Sequence, residues 1–269
     1  MKKVLVSLMV VAGMAVAANA QVSQRSQFEI ELSKDRGVTW SNTMTFNPVT
    51  EAGPVFARVT VTYVANGGPT PLFFNGGRFQ PTGAGWNQAG GDTALAINPT
   101  GRVVADLNAN PPVLGRVFGA TTVSAVIGHQ YAFGGTNYLR FAETAATNHP
   151  GQGSGTNNVT GGAGINTSNN TLSPQLGISD LNLFVWGMNF TRQSGEISFS
   201  IPQEGFRTSG ATANPANTRS ATWVTNTSPF TTVEAPTLDT IGATLTFVPA
   251  PSAAALLGLG GLVVGRRRR

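Results

Sequence analysis

The chain has 269 residues with 33 Gly, 16 Pro, no Cys and only 11% charged side chains, against about 25% in an ordinary soluble domain. An apolar content of 41% excludes a solvating disordered chain, and no heptad or longer repeat supports a coiled coil or solenoid. The missing cysteines exclude disulfide frameworks, thiol nucleophiles and Cys-ligated zinc or iron–sulfur centres, while the net charge of +5 takes its meaning from where the cations lie.

Residues 1–20 open with Lys2 and Lys3, continue through an apolar run from Val4 to Ala18, and end in Ala18-Asn19-Ala20. A basic start, a helix too short to span a bilayer and small residues before the scissile bond make a secretory signal peptide. Signal peptidase is the expected first partner, with Gln21 as the mature start.

From Gln21 to Phe247 the pattern is that of strands. Phe28, Ile30 and Leu32 share one parity; after a turn at Lys34-Asp35-Arg36-Gly37, Val38, Trp40, Met44 and Phe46 repeat it; Val55, Ala57, Val59, Val61 and Tyr63 continue, with Arg58, Thr60 and Thr62 opposite. Further strands are expected at 72–74, 102–107, 121–127, 138–142, 181–190, 196–201, 221–225 and 241–248, all rich in Thr, Val and aromatics. No interior segment carries a capped apolar stripe of helical period. The predicted fold is all-β, an antiparallel β-sandwich or jelly roll, with a signal helix before it and a short transmembrane helix after it. Residues 147–175 are nearly all Gly, Asn, Thr and Ser; they are expected to form a long loop on one domain, too poor in apolar residues to contribute a core.

The chemistry available to the body is sparse. His129 and His149 are the two histidines, and neither has HExxH or HxH spacing, so surface roles are expected. Gly153-Ser154-Gly155 lacks the spacing of a nucleophile elbow. Glu29 and Glu31 lie on one strand face at about 7 Å, inside the window for paired glycosidase carboxylates, yet that face is opposite Phe28, Ile30 and Leu32 and should be wet. Asp35 sits between two cations in a turn, a poor calcium ligand, and whether Asp92, Asp106, Asp180 and Asp239 meet in space is left open. No cofactor and no metal site is predicted. Among the tryptophans Trp40, Trp86, Trp186 and Trp223, Trp40 and Trp186 fall in apolar strand patterns, whereas Trp86 lies in Gly83-Ala84-Gly85-Trp86-Asn87-Gln88 and is the most suggestive candidate for stacking on a sugar ring. Sequons at Asn158, Asn166, Asn169, Asn189 and Asn226 read as markers of accessible sequence.

The C-terminal segment 248–269 has three parts: Val248-Pro249-Ala250-Pro251-Ser252, an apolar stretch from Ala253 to Gly265, and Arg266, Arg267, Arg268 and Arg269. Two prolines hold the approach extended, the Ala/Leu/Gly/Val segment can enter a bilayer, and four arginines stop transfer on the positive-inside face. Sixteen residues from Ala250 to Gly265 make a helix of about 24 Å, short of a hydrocarbon core of about 30 Å. This segment resembles the PEP-CTERM sorting signal of Gram-negative bacteria, in which a Pro-Glu-Pro motif precedes a short hydrophobic helix and an arginine cluster; here Pro249 and Pro251 match and Ala250 stands in place of Glu. The resemblance covers about 22 residues. It implies processing by the membrane protease exosortase, passage through the inner membrane, and a destination at the cell surface or in an exopolysaccharide-containing matrix.

Lys2, Lys3 and the four terminal arginines carry six of the 17 cations, leaving 11 against 12 acids between Gln21 and Phe247. A body near minus one, with no basic run interleaved with aromatics, has no footprint for nucleic acid. The reading is an exported, non-enzymatic surface or matrix protein. Two alternatives stay open, a carbohydrate-binding module using Trp86 and a glycoside hydrolase or lyase using Glu29 and Glu31.

Overall fold

The computed structural model describes residues 25–64, 73–98, 102–118, 126–133, 135–143, 165–166, 178–203, 219–224, 233–234 and 237–248. The predicted signal peptide, the cleavage residues Ala18, Ala20 and Gln21, the sorting segment beyond Val248, His149 and most of 147–175 lie outside these residues.

The first strands are β1 (Arg25–Ser33), β2 (Thr43–Phe46), β3 (Val55–Val64), β4 (Phe73–Phe79) and β5 (Thr82–Ala84). A single turn of 3-10 helix (Gln88–Gly90) leads to β6 (Thr93–Ala94), β7 (Gly115–Arg116), β8 (Val126–Phe133), β9 (Thr136–Glu143) and β10 (Ile165–Asn166). The remainder are β11 (Leu181–Asn189), β12 (Gly195–Ser200), β13 (Ser220–Val224), β14 (Val233–Glu234), β15 (Thr237–Ile241) and β16 (Ala243–Phe247).

Alternation explains β1 directly: Ser26, Phe28, Ile30 and Leu32 are buried while the residues between them are half-buried. It pairs antiparallel with β3, placing Phe28 opposite Val61 and Ile30 opposite Val59. The first sheet has the order β15-β1-β3-β11-β6, with β7 also on β11. The second runs β2-β16-β12-β5-β9-β8 and the third β10-β4-β13-β14. Both pack on the inner face of the first: the Trp186 ring lies 6.1 Å from Phe199 of the second sheet, and Tyr63 lies 5.3 Å from Trp223 of the third. One hydrophobic core therefore joins all three sheets. Phe28, Trp186 and Trp223 are fully buried within it, each removing about 150–250 Å² of aromatic surface from water. The body is all-β and two-layered, as the patterning predicts.

Most pairings are antiparallel, but β15 runs parallel to β1 and β16 parallel to β2. The chain's first and last strands thus pass together from one layer to the other. Gly242 makes the second of these crossings in one residue, since a Cβ there would lie 2.4 Å from the Phe199 carbonyl oxygen.

Three expectations are corrected. Val38 and Trp40 do not begin the second strand; Val38 is 81% exposed, and β2 starts at Thr43. The Asp35 carboxylate accepts hydrogen bonds from the Thr39 amide (2.9 Å) and the Ser33 hydroxyl (2.7 Å), with Arg36 and Gly37 at positive φ, so the turn extends through Thr39 and overrides the alternation. Residues 102–107 do not form a strand of a sheet. Asp106 closes a turn by accepting from the amides of Asn108 (2.9 Å) and Ala109 (3.2 Å), and the segment covers the outer face of the first sheet, where Leu107 and Leu114 pack with Phe56 and Val185. Finally, the Gly/Asn/Thr segment does reach the core through Ile165, which is buried and pairs with Phe79.

Candidate functional site

Among the described residues, a cleft of about 210 Å³ with converging polar groups lies where the turn after β5 meets the β8–β9 hairpin, lined by Trp86, Gln88, Asp92, Thr93, Gln130 and Leu139 among others. Its wall is built by local chain geometry. Gly85, at φ 88°, brings the backbone so close to β12 that a Cβ would sit 2.5 Å from the Glu196 carbonyl oxygen. Trp86 then turns inward, and Asn87 caps the 3-10 turn by accepting from the Gly90 amide at 2.9 Å. Gly91, at φ 97°, returns its amide to the Gln88 carbonyl. That reversal delivers Asp92 back beneath Asn87, whose amide donates to the Asp92 Oδ2 at 2.7 Å.

Asp92 is 0% exposed. Its other oxygen faces the Arg192 Nε at 3.3 Å, and the Arg192 guanidinium also donates from Nη1 to the Gly85 carbonyl at 2.9 Å and lies 4.3 Å over the Phe247 ring. Burial pushes the Asp92 carboxyl above its ordinary value, and the Asn87 amide and Arg192 offset this only in part. Burial likewise lowers Arg192, against the opposing pull of Asp92. Desolvation outweighs attraction on both partners, as is usual where an ion pair leaves water. On the rim, the Gln130 side-chain oxygen accepts from the Gln88 amide at 2.9 Å and fixes the turn to β8. The cleft is smaller than the roughly 300–1,000 Å³ typical of drug-sized sites and offers amide groups, a hydroxyl and one apolar wall.

Trp86 is not the exposed platform that its polar neighbours suggest. It is 2% exposed and packs edge-on to Phe190 at 6.0 Å, because Gly85 turns the chain so that the indole enters the core; it contributes to the cleft as part of its wall. Trp186 is core as expected, while Trp40 is half-buried on the outer face beneath the Arg58 guanidinium, 4.5 Å from the ring. Glu31 pairs with the same Arg58 at 2.7 Å, on the face away from Phe28, Ile30 and Leu32. Asp92, Asp106, Asp180 and Asp239 do not converge: the Thr62 hydroxyl accepts from the Asp180 amide at 2.9 Å and donates to the Asp180 Oδ1 at 3.5 Å, and Asp239 meets Arg25 at 3.2 Å. Among the described residues no group of three or more His, Asp or Glu could hold a metal ion. His129 lies on β8. Of the sorting segment, Val248 is described; its amide continues the ladder of β16 by donating to the Phe46 carbonyl at 3.0 Å. The Asp92–Arg192 pair is absent from the sequence reading. The Asn87-to-Asp92 spacing carries a turn signal, but a partner 100 residues downstream carries none.

No protein-family model matches the chain, and no curated protein matches it. Among solved structures, the seventh ScaB type I cohesin from Pseudobacteroides cellulosolvens aligns with 84% of this chain and 95% of its own, at 7% identity and a TM-score of 0.35. The solution structure of CaCohA2 from Clostridium acetobutylicum aligns with 84% of this chain and 91% of its own, at 11% identity and a TM-score of 0.30. A CaDoc0917–CaCohA2 complex aligns with 83% and 99%, at 10% identity and a TM-score of 0.28. Values this low transfer no site, and the architecture above stands on its own strand pairing.

Proposed function

We propose that this chain is an exported, non-enzymatic bacterial protein of the cell surface or extracellular matrix, delivered through its N-terminal signal peptide and its PEP-CTERM-like C-terminal segment. The observation that carries the reading is the pair of terminal addresses flanking a body in which six of the acids are committed to its own architecture. Glu31 holds Arg58, Glu51 holds Lys34, Asp92 holds Arg192 and Asp239 holds Arg25, while Asp35 and Asp106 close turns. A carboxylate tied to a structural cation is a poor general base, and Glu31 is so tied to Arg58, which disfavours a glycosidase that needs Glu31 beside Glu29. Exosortase and signal peptidase are the proposed processing partners, with exopolysaccharide as the setting.

Terminal-peptide mass spectrometry on membrane, surface-wash and medium fractions tests this reading. The expected product begins at Gln21, lacks Arg266 to Arg269 and is found outside the inner membrane. An intact C-terminus confined to the membrane would instead make the segment a plain tail anchor.

A second reading, glycan binding, draws on the cleft: Gln88, Thr93 and Gln130 offer hydrogen bonds to hydroxyls, and Leu139 with the Trp86 edge offers an apolar wall. A glycan array that includes the native exopolysaccharide checks it; signal that survives Gln130→Ala would place any binding elsewhere.

A further inference from the structure

Among the described residues, β8 is the longest sheet edge and carries no charged side chain. Among the described residues β8 has one strand partner, β9, and ends the second sheet. The other edges are blunted. β6, β7, β10 and β14 have two residues each, β2 has four, and β15 carries Asp239 within five. Short or charged edges are how sheets avoid pairing with other chains. β8 spans eight residues, Val-Ile-Gly-His-Gln-Tyr-Ala-Phe, with no Asp, Glu, Lys, Arg or Pro, the composition of a strand that adds readily to another.

Which backbone groups face outward follows from β9. The Asn137 carbonyl accepts from Gly85 at 2.9 Å and the Phe141 amide donates to Pro81 at 3.3 Å, so 137, 139 and 141 point toward β5 and the even residues of β9 point toward β8. Their partners on β8 are Phe133, Tyr131, His129 and Ile127. The N–H and C=O groups of Val126, Gly128, Gln130 and Ala132 therefore face away from the hairpin, since backbone groups alternate sides along a strand.

We propose that this edge is a self-association surface on which the β8 strands of two copies pair antiparallel about a two-fold axis. Outward groups occur at even positions in both copies, so a symmetric register must join even to even. With the axis at position 129, Val126 faces Ala132 and Gly128 faces Gln130, and all four outward residues of each copy are used, giving about eight inter-strand hydrogen bonds. The second sheet then continues across the interface. Charge supports a second copy as the occupant: the strand has no charge to repel its twin, and the body from Gln21 to Phe247, with 11 cations and 12 acids, has almost no net charge to keep copies apart. The inference does not depend on how the chain is exported.

The test uses the full-length protein in a mild nonionic detergent, its mass followed by analytical ultracentrifugation across a concentration series, with hydrogen exchange read along 126–133. Ala132 is exposed and its amide faces outward, so Ala132→Pro removes a donor without touching the β8–β9 ladder, and Ala132→Lys places a charge on the edge. The expected result is a reversible dimer in which the amides of Gly128, Gln130 and Ala132 gain protection with concentration, and whose dissociation constant each variant raises by about tenfold or more. Circular dichroism identifies a variant that fails to fold, and the native exchange pattern remains decisive in that event. A monomer at every concentration, or a dimer indifferent to both substitutions, such as one held by the C-terminal apolar segment, overturns the proposal.

Discussion

Asp92→Asn separates the contribution of charge from that of shape beneath the cleft. The amide keeps an oxygen for the Asn87 N–H, 2.7 Å away in the native protein, and removes the charge that faces the Arg192 Nε at 3.3 Å. At an effective dielectric of about 20 that attraction is about 5 kcal/mol, and it is offset by the desolvation that raises the Asp92 pKa. Relieving the desolvation of one partner leaves the other, 14% exposed at its side chain, opposite a neutral group; removing one member of a buried pair costs about 3–5 kcal/mol, and the remaining bond from Arg192 to Gly85 places the expected loss near the low end, about 3 kcal/mol. Urea unfolding of the native protein, Asp92→Asn, Arg192→Met and the double variant gives the coupling directly. A single-variant loss below about 0.5 kcal/mol, the range of an ordinary surface change, would refute the reasoning. Arg192→Met supplies a pH signature as well. Without the cation the Asp92 pKa rises further above its unfolded value, so the variant should gain stability as pH falls from neutrality toward the unfolded value near 4 and lose it again on return.

Other expected outcomes follow from single contacts. Trp223→Phe keeps the ring packing on Tyr63 and Phe74 but removes the 2.7 Å bond from the indole nitrogen to Ser26, leaving a buried hydroxyl alone; a loss of about 1–3 kcal/mol in urea unfolding is expected, and the Trp223→Phe/Ser26→Ala pair should recover part of it. Gly242→Val forces atoms onto the Phe199 carbonyl at the crossing between layers and should lower the melting temperature by several degrees, corresponding to at least about 1–3 kcal/mol of overpacking strain. Asp35 is held at a pKa of about 2, below its ordinary 3.8, chiefly by the Thr39 hydroxyl, with the Thr39 amide and Ser33 adding to it. A depressed carboxylate stabilises the fold above its unfolded pKa and ceases to as pH falls through the folded one, so the native protein should lose stability between pH 4 and about 2 and Asp35→Ala should flatten that limb of an acid titration followed by circular dichroism.

Local patterning went far with this chain. Strict alternation in 28–32 and 55–63 set both the strands and the inward face, because period two leaves a strand only one way to bury Phe28, Ile30 and Leu32 together. The terminal addresses are equally local, a matter of charge, apolar length and proline within about twenty residues. Where local signals compete, tertiary structure decided. The apolar residues of 102–107 and Val38 resemble strand, yet the Asp106 and Asp35 carboxylates capture nearby amides and close turns instead, and Phe56 and Val185 on the supposedly wet face of the first sheet are covered by Leu95, Leu107, Leu114 and Val117. Ile165 enters the core because β4 presents Phe79 to pair with it, a choice no composition of Gly, Asn and Thr could announce. Trp86 gives the sharpest case. Its neighbours in sequence are Gly and amides, which suggest exposure, but a glycine at positive φ and a β12 carbonyl 2.5 Å from its absent Cβ turn the indole inward. The Asp92–Arg192 pair, the parallel placement of the first and last strands and the open edge of β8 all arise from contacts between residues far apart in the chain, and such contacts leave no period or spacing behind.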